Sequence, residues 1–134
     1  MFPIEFIFNG PPLSLQSKNK ARKRNYKAMI ASEAANVLPP GFTPTNDEVE
    51  IVITYYYENQ VGDVDNIIKP IQDSLNGVVY VDDEQVVDSR SKRKDINGSY
   101  KIRNVSAKIL EGFSRGNDFI HVKIKRHINN QELD

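Results

Sequence analysis

The chain has 134 residues, room for one domain whose core needs no covalent staple. It contains no cysteine, which excludes a disulfide framework, a thiolate metal site and a cysteine nucleophile. No apolar run approaches the ~20 residues of a membrane span, and residues 1–15 lack the basic-then-apolar order of a signal peptide, so a cytoplasmic protein with no membrane partner is expected.

The formal net charge is zero, but the charges are segregated. Between Asp47 and Ser89 the ionised side chains are acidic except for Lys69, and the other Lys and Arg gather mainly at 18–27, 90–103 and 123–126. An acidic middle between basic flanks is the pattern of a cation site set within a surface that attracts polyanions. An evenly solvated surface after folding is the plainer alternative.

In chain order, Phe2, Ile4, Phe6 and Phe8 alternate with Pro3, Glu5, Ile7 and Asn9, which predicts a first strand ended by Gly10-Pro11-Pro12. A helix follows from Ser17 to about Asn36, cationic in its first half and apolar later, and its basic half is expected to fray into an arm when no partner is bound. Pro39-Pro40-Gly41 and Pro44 form a loop. Val49 to Tyr57 alternates as a second strand running towards Gly62-Asp63-Val64-Asp65-Asn66. Ile67, Ile68, Ile71 and Leu75 then make the apolar stripe of a short helix, closed by Asn76-Gly77. Val78–Val81 reads as a short extended run, an extra hairpin strand, and about Gln85–Lys92 as a further strand. Asn97-Gly98 is a turn. Val105, Ile109, Leu110 and Phe113 have helical spacing up to Gly116, and Phe119–Lys125 is a last strand with Ile120, Val122 and Ile124 on one face. The expected architecture is α/β or α+β: one compact domain over 1–128, a mixed sheet with two or three helices, and a disordered polar tail over 129–134.

The stretch from Gly62 to Val87 carries the chemistry. Asp63 and Asp65 share a face only in extended backbone. Pro70 is comfortable only in a helix's first turn, which sets the helix start near Asp65 or Asn66, one of them capping it. Two such carboxylates repel, and a divalent cation removes that cost; an all-oxygen open site suits Mg²⁺ or Mn²⁺. Lys69, four residues after Asp65, shares its helical face and reaches an anion held by the metal. Asp73 is about 12 Å along the axis from Asp65, too far for a shared ion, and reads as a supporting or surface group. Asp82 or Asp83 returns to the strand end, and spacing does not choose between them. An EF-hand loop is excluded, because Ile67 and Ile68 stand where it needs a ligand and a Gly. Caps and turns are the purely structural reading of these aspartates.

Taken together, Asp63-x-Asp65-Asn66-x-x-Lys69, Asp73-x-Leu75-x-Gly77 and Asp82-Asp83-Glu84-Gln85 resemble the signature of the RusA-type Holliday-junction resolvases. The likeness is dense over 62–87 and looser elsewhere, and Pro70 after the lysine departs from the pattern. The resemblance implies a RusA-like fold with Asp63, Asp65 and Asp83 as metal ligands and, with Lys69, as the catalytic set. It implies a homodimer of bacterial or prophage origin that nicks four-way DNA using Mg²⁺, with Mn²⁺ substituting and no organic cofactor.

Around that centre, Lys18, Lys20, Arg22, Lys23 and Arg24 form one candidate DNA-binding patch. Arg90, Lys92 and Lys94, on one face of the strand after Asp83, form another; strand parity sides them with Asp82, and a bulge would reverse that. Tyr55, Tyr56 and Tyr57 read as core and rim, with stacking on exposed bases as the functional alternative. His121 and His127 have no partner at ligand spacing and read as exposed or structural. The rival functions are a non-catalytic branched-nucleic-acid-binding protein and another metal-assisted phosphoryl-transfer enzyme with a small substrate. The latter leaves the basic flanks without a role.

Overall fold

The computed structural model describes residues 2–13, 18–58, 67–97 and 106–128. The elements are β1 (Ile4–Asn9), α1 (Lys20–Asn36), β2 (Val49–Tyr57), α2 (Ile68–Ser74), β3 (Val86–Asp95), α3 (Ala107–Arg115) and β4 (Phe119–Arg126), in the order anticipated. The sheet order is β1-β4-β2-β3. β4 runs antiparallel to both neighbours, while β2 and β3 are parallel with α2 as their crossover, so the sheet is mixed and the domain is α+β.

Each face of the sheet buries its own cluster. Ile4, Phe6 and Phe8 of β1, Ile51, Ile53 and Tyr55 of β2, and Ile120, Val122 and Ile124 of β4 pack against Ile30 and Ala34 of α1 and Ile71 of α2. On the opposite face Ile7, Tyr56 and Phe119 meet Ile109 and Phe113 of α3. Both faces of β1, β2 and β4 are therefore partly covered, which is why Ile7 and Tyr56 are buried despite their parity.

The helix ends have local causes. Asn19 caps α1, its Oδ1 accepting from the N–H of Arg22 at 3.0 Å, so the basic turns are helical from Lys20 rather than from Ser17. Ser106 caps α3, and Gly116 ends it at φ 73°, a left-handed conformation that a side chain disfavours. Leu110, placed by spacing on the apolar stripe of α3, is exposed. The predicted hairpin strand at Val78–Val81 is not formed. That segment is a turn held by isolated bridges from Tyr80 to Thr45 and Asn76. Ser17, Gly98, Val105 and the tail 129–134 lie outside the described residues.

Candidate active site

Among the described residues α2 begins at Ile68, with Ile67 before it; Asp65 and Asn66, expected to start and cap it, lie outside the described residues. Pro70 falls in the first turn, where its missing N–H breaks no helical bond. Ile67, Ile71 and Leu75 are buried in the main core, which turns Lys69 and Asp73 away from it.

The return from α2 decides where the second acidic group goes. Gly77, at φ 76°, donates its N–H to the Tyr80 carbonyl at 2.8 Å. Tyr80, fully buried, donates its hydroxyl back to the Gln72 carbonyl at 2.7 Å. The chain is thereby folded against α2, and Asp82-Asp83 arrive at its C-terminal end beside Asp73. Asp82 caps a single 3-10 turn, Asp83–Gln85, in a capping box: its N–H donates to Oε1 of Gln85 at 2.9 Å. The Gln85 amide also donates to the carbonyls of Thr45 and Asp47, at 2.7 and 2.9 Å.

Asp82 and Asp83 thus have different work. The hydrogen bond with Asp83 and the Glu84 N–H hold the Asp82 carboxyl below its ordinary value. Asp83 is held above its ordinary value, first by the hydrogen bond with Asp82, then by desolvation and by the charges of Asp82 and Asp73. Asp73 is not an isolated surface group, since it meets Asp83 and lies 3.8 Å from Nζ of Lys27. Among the described residues no three acidic or histidine side chains form a metal-holding group. Asp63 and Asp65 lie outside the described residues. Asp83 meets Asp73, which lies about 9 Å along α2 from Ile67 at 1.5 Å per residue.

Lys69 faces the basic helix. It lines a cavity of about 150 Å³ together with Leu13, Lys23, Tyr26, Lys27, Pro70 and Asp73. Burial pushes the Tyr26 phenol up to about 12, opposed by a backbone hydrogen bond from Leu13, so it stays protonated there. Lys20, Lys23, Arg24 and Lys27 fall at i, i+3, i+4 and i+7 and form one stripe, while Arg22 projects elsewhere and Lys18 precedes the helix. Lys27 joins this patch although the sequence reading did not place it among the DNA contacts.

The second predicted patch lies on the other side of the sheet. Arg90, Lys92 and Lys94 pair with Val52, Thr54 and Tyr56, so they share one face as expected, but it is the face of α3. The face bearing α1 and α2 carries Ile51, Ile53 and Tyr55, whose partners on β3 are Ser89, Ser91 and Arg93. The α2 side chain of Gln72 bonds the Ser89 hydroxyl, which fixes that assignment. A register shift between Val49 and Glu50 leaves Val87 as an extra residue on β3, the bulge that upsets simple parity from Asp82. Arg93 is therefore the β3 cation on the Lys69 side, and only the register reveals it.

Tyr55 and Tyr56 are buried core residues rather than an open stacking platform. His121 is buried against Glu5 at 2.8 Å and His127 bonds Glu50 at 2.9 Å, both structural roles.

A family model described as endodeoxyribonuclease RusA matches residues 14–103. The chain belongs to the RusA endodeoxyribonuclease family. The match runs from the start of the basic helix through β3, taking in Asp63, Asp65, Lys69 and Asp83, and stops before α3 and β4. No curated protein matches the chain. A RusA family member is an endonuclease acting on Holliday-junction DNA. Among the described residues no helix is long and apolar enough to cross a membrane.

Proposed function

We propose that the chain is a metal-dependent, structure-selective endonuclease that resolves four-way DNA by paired symmetric nicks, acting as a homodimer in DNA recombination and repair. The observation that carries this reading is the position of Lys69, on α2 between the cationic stripe of α1 and the Asp73–Asp83 carboxylates, inside the span matched by the RusA family.

Asp63, Asp65 and Asp83 would hold Mg²⁺ or Mn²⁺. The donors are all carboxylate oxygens, and the charges of Asp82 and Asp73, which add to the Asp82 hydrogen bond and desolvation in raising Asp83, are a repulsion a hard cation relieves. Such an ion, when bound, supplies Lewis-acid polarisation of the phosphodiester and a more acidic attacking water. Lys69 contributes a fixed positive charge beside the scissile phosphate, where negative charge grows on the way to the pentacovalent transition state. The α1 stripe of Lys20, Lys23, Arg24 and Lys27 binds the DNA backbone and sets the arm in register; Lys18 and Arg22 extend the field without sharing that stripe. None of these residues forms a covalent intermediate. Two such sites related by a two-fold axis cut a four-way junction symmetrically.

The capping box of Asp82 favours a second reading, in which the acidic residues only shape turns and the protein binds branched DNA without cutting it. A nicking assay separates the two. Wild-type protein and Asp65→Asn are compared on a labelled four-way junction and a linear duplex, with and without Mg²⁺. Paired symmetric nicks that require both Mg²⁺ and Asp65 and spare the duplex support the resolvase. A salt-sensitive gel shift without cleavage supports the binding protein.

A further inference from the structure

Beside the start of α2, on its β3 side, lies a second opening of about 260 Å³, lined by Tyr55, Ile67, Ser91, Lys92 and Arg93. Its chemistry differs from that of the cavity at Lys69. Here a guanidinium and a hydroxyl flank an aromatic edge and an apolar floor, and among the described residues no carboxylate lines the wall. The Tyr55 hydroxyl is already committed, donating to Asp118 at 2.7 Å, so the side-chain donors on this face left for a visitor are those of Ser91 and Arg93. Arg93 has no hydrogen bond or ion pair among the described residues, in contrast to Arg90, which is held by Asp88 at 3.3 Å. A planar guanidinium at the mouth of a pocket is matched to a phosphate, which it binds with two parallel hydrogen bonds.

Register places this pocket on the same side of the sheet as α1 and α2, since Arg93 pairs with Tyr55 of the main core. The basic groups on that side run from Lys23 and Lys27 of α1, through Lys69 of α2, to Arg93 at the sheet edge. We propose that the Arg93 pocket binds a backbone phosphate of the DNA arm that enters the active site, and that Arg93, rather than Arg90 or Lys94 on the reverse face, is the β3 residue that anchors it. The inference rests on the junction-cleaving reading above and adds a contact to it. Ser91 supplies a further donor.

The test is equilibrium binding of a four-way junction in Ca²⁺, to suppress turnover, across a series of salt concentrations. Arg93→Ala, Arg93→Lys and the reverse-face control Arg90→Ala are compared with wild type, and each is checked by thermal melting; all these positions are exposed on the edge strand. Arg93→Ala is expected to weaken binding about tenfold and to reduce the salt slope by about one ion, with Arg93→Lys recovering the slope but only part of the affinity. Arg90→Ala should stay within about twofold of wild type. Unchanged affinity and slope for Arg93→Ala, or an equal loss in Arg90→Ala, overturns the inference while leaving the junction reading standing. A wild-type protein with no salt-dependent affinity for the junction overturns both.

Discussion

The Tyr55 hydroxyl donates to one carboxylate oxygen of Asp118 at 2.7 Å, and the other oxygen accepts the backbone N–H of Glu58 at 2.7 Å. One side chain just before β4 thus ties down the end of β2, directly ahead of the stretch that contains Asp63 and Asp65. Burial, with the hydrogen bond and charge of Asp118, pushes the Tyr55 phenol well above its ordinary range, so the bond persists at any pH the protein meets.

Asp118→Ala removes both acceptors and leaves a largely buried phenol unpaired, so it should cost about 2–3 kcal/mol in chemical denaturation. Tyr55→Phe removes one bond and keeps the Glu58 contact, so about 1 kcal/mol is expected. The double variant should be no worse than Asp118→Ala by more than a few tenths, because the two residues share one interaction. Strict additivity of the two losses would show that Asp118 and Tyr55 act separately.

Gly112 is the point of closest approach between α3 and the sheet. A Cβ built there would lie 2.3 Å from the Phe119 ring. That ring cannot retreat, since it stacks on Tyr56 at 4.6 Å between centroids and meets Phe113 edge-on at 5.5 Å. Gly112→Ala, normally favourable in a helix, should instead destabilise by about 1–3 kcal/mol through overpacking. Recovery in Gly112→Ala with Phe119→Leu would confirm the clash, and a thermal midpoint at or above wild type for Gly112→Ala alone would refute it.

Most of the fold was readable because its strands alternate and its helices carry their caps. The run Val49–Tyr57 and the Gly116 stop needed nothing beyond the sequence. What was not readable depends on contacts distant in sequence. Val78–Val81 has strand composition but lacks a strand partner, and the Tyr80 hydroxyl on Gln72 makes it a turn. The face of Arg90, Lys92 and Lys94 depends on a bulge at Val87 that only pairing with β2 creates. Asp118 carried no local signal, because its partners lie some sixty residues away in β2 and just after it. The local Asp82 and Asp83 motif was legible, whereas the convergence of Asp83 with Asp73 required the folded return after α2.

Asp83 should show a trade between stability and function. Its carboxyl faces those of Asp82 and Asp73, a repulsion that does nothing for the metal-free fold. Asp83→Asn is expected to leave the metal-free melting temperature equal to or slightly above wild type. Wild type should gain several degrees on titration with Mg²⁺ or Mn²⁺ to the millimolar range, by mass action on the folded state, and Asp83→Asn should lose most of that gain. A metal-dependent shift of the same size in both proteins would remove Asp83 from the ligand set.

The last prediction concerns acid. Nε2 of His121 lies 2.8 Å from Oε2 of Glu5, joining β4 to β1 beneath the capped end of α3. Burial holds the His121 pKa below its ordinary value, against the pull of the Glu5 hydrogen bond and charge and with some help from Lys123. Burial raises Glu5, but hydrogen bonds from His121 and Ser106 and the charges of His121 and Lys123 outweigh it, so its pKa is lowered. Between the ordinary and the folded pKa of His121 the unfolded chain binds a proton that the folded chain does not, so stability rises with pH across that window. The contribution is therefore complete above the ordinary histidine value of about 6.5 and declines below it. Glu5 has the same sign lower down: its contribution is present above about 4.5 and is lost as pH falls through its folded value. Thermal midpoints should be flat from about pH 8 to 7 and fall progressively towards pH 4. His121→Gln keeps a donor for Glu5 but cannot titrate, so it should remove the upper limb that begins below the ordinary histidine value and leave the lower one. An upper limb of equal depth in wild type and His121→Gln would assign the acid sensitivity to other groups.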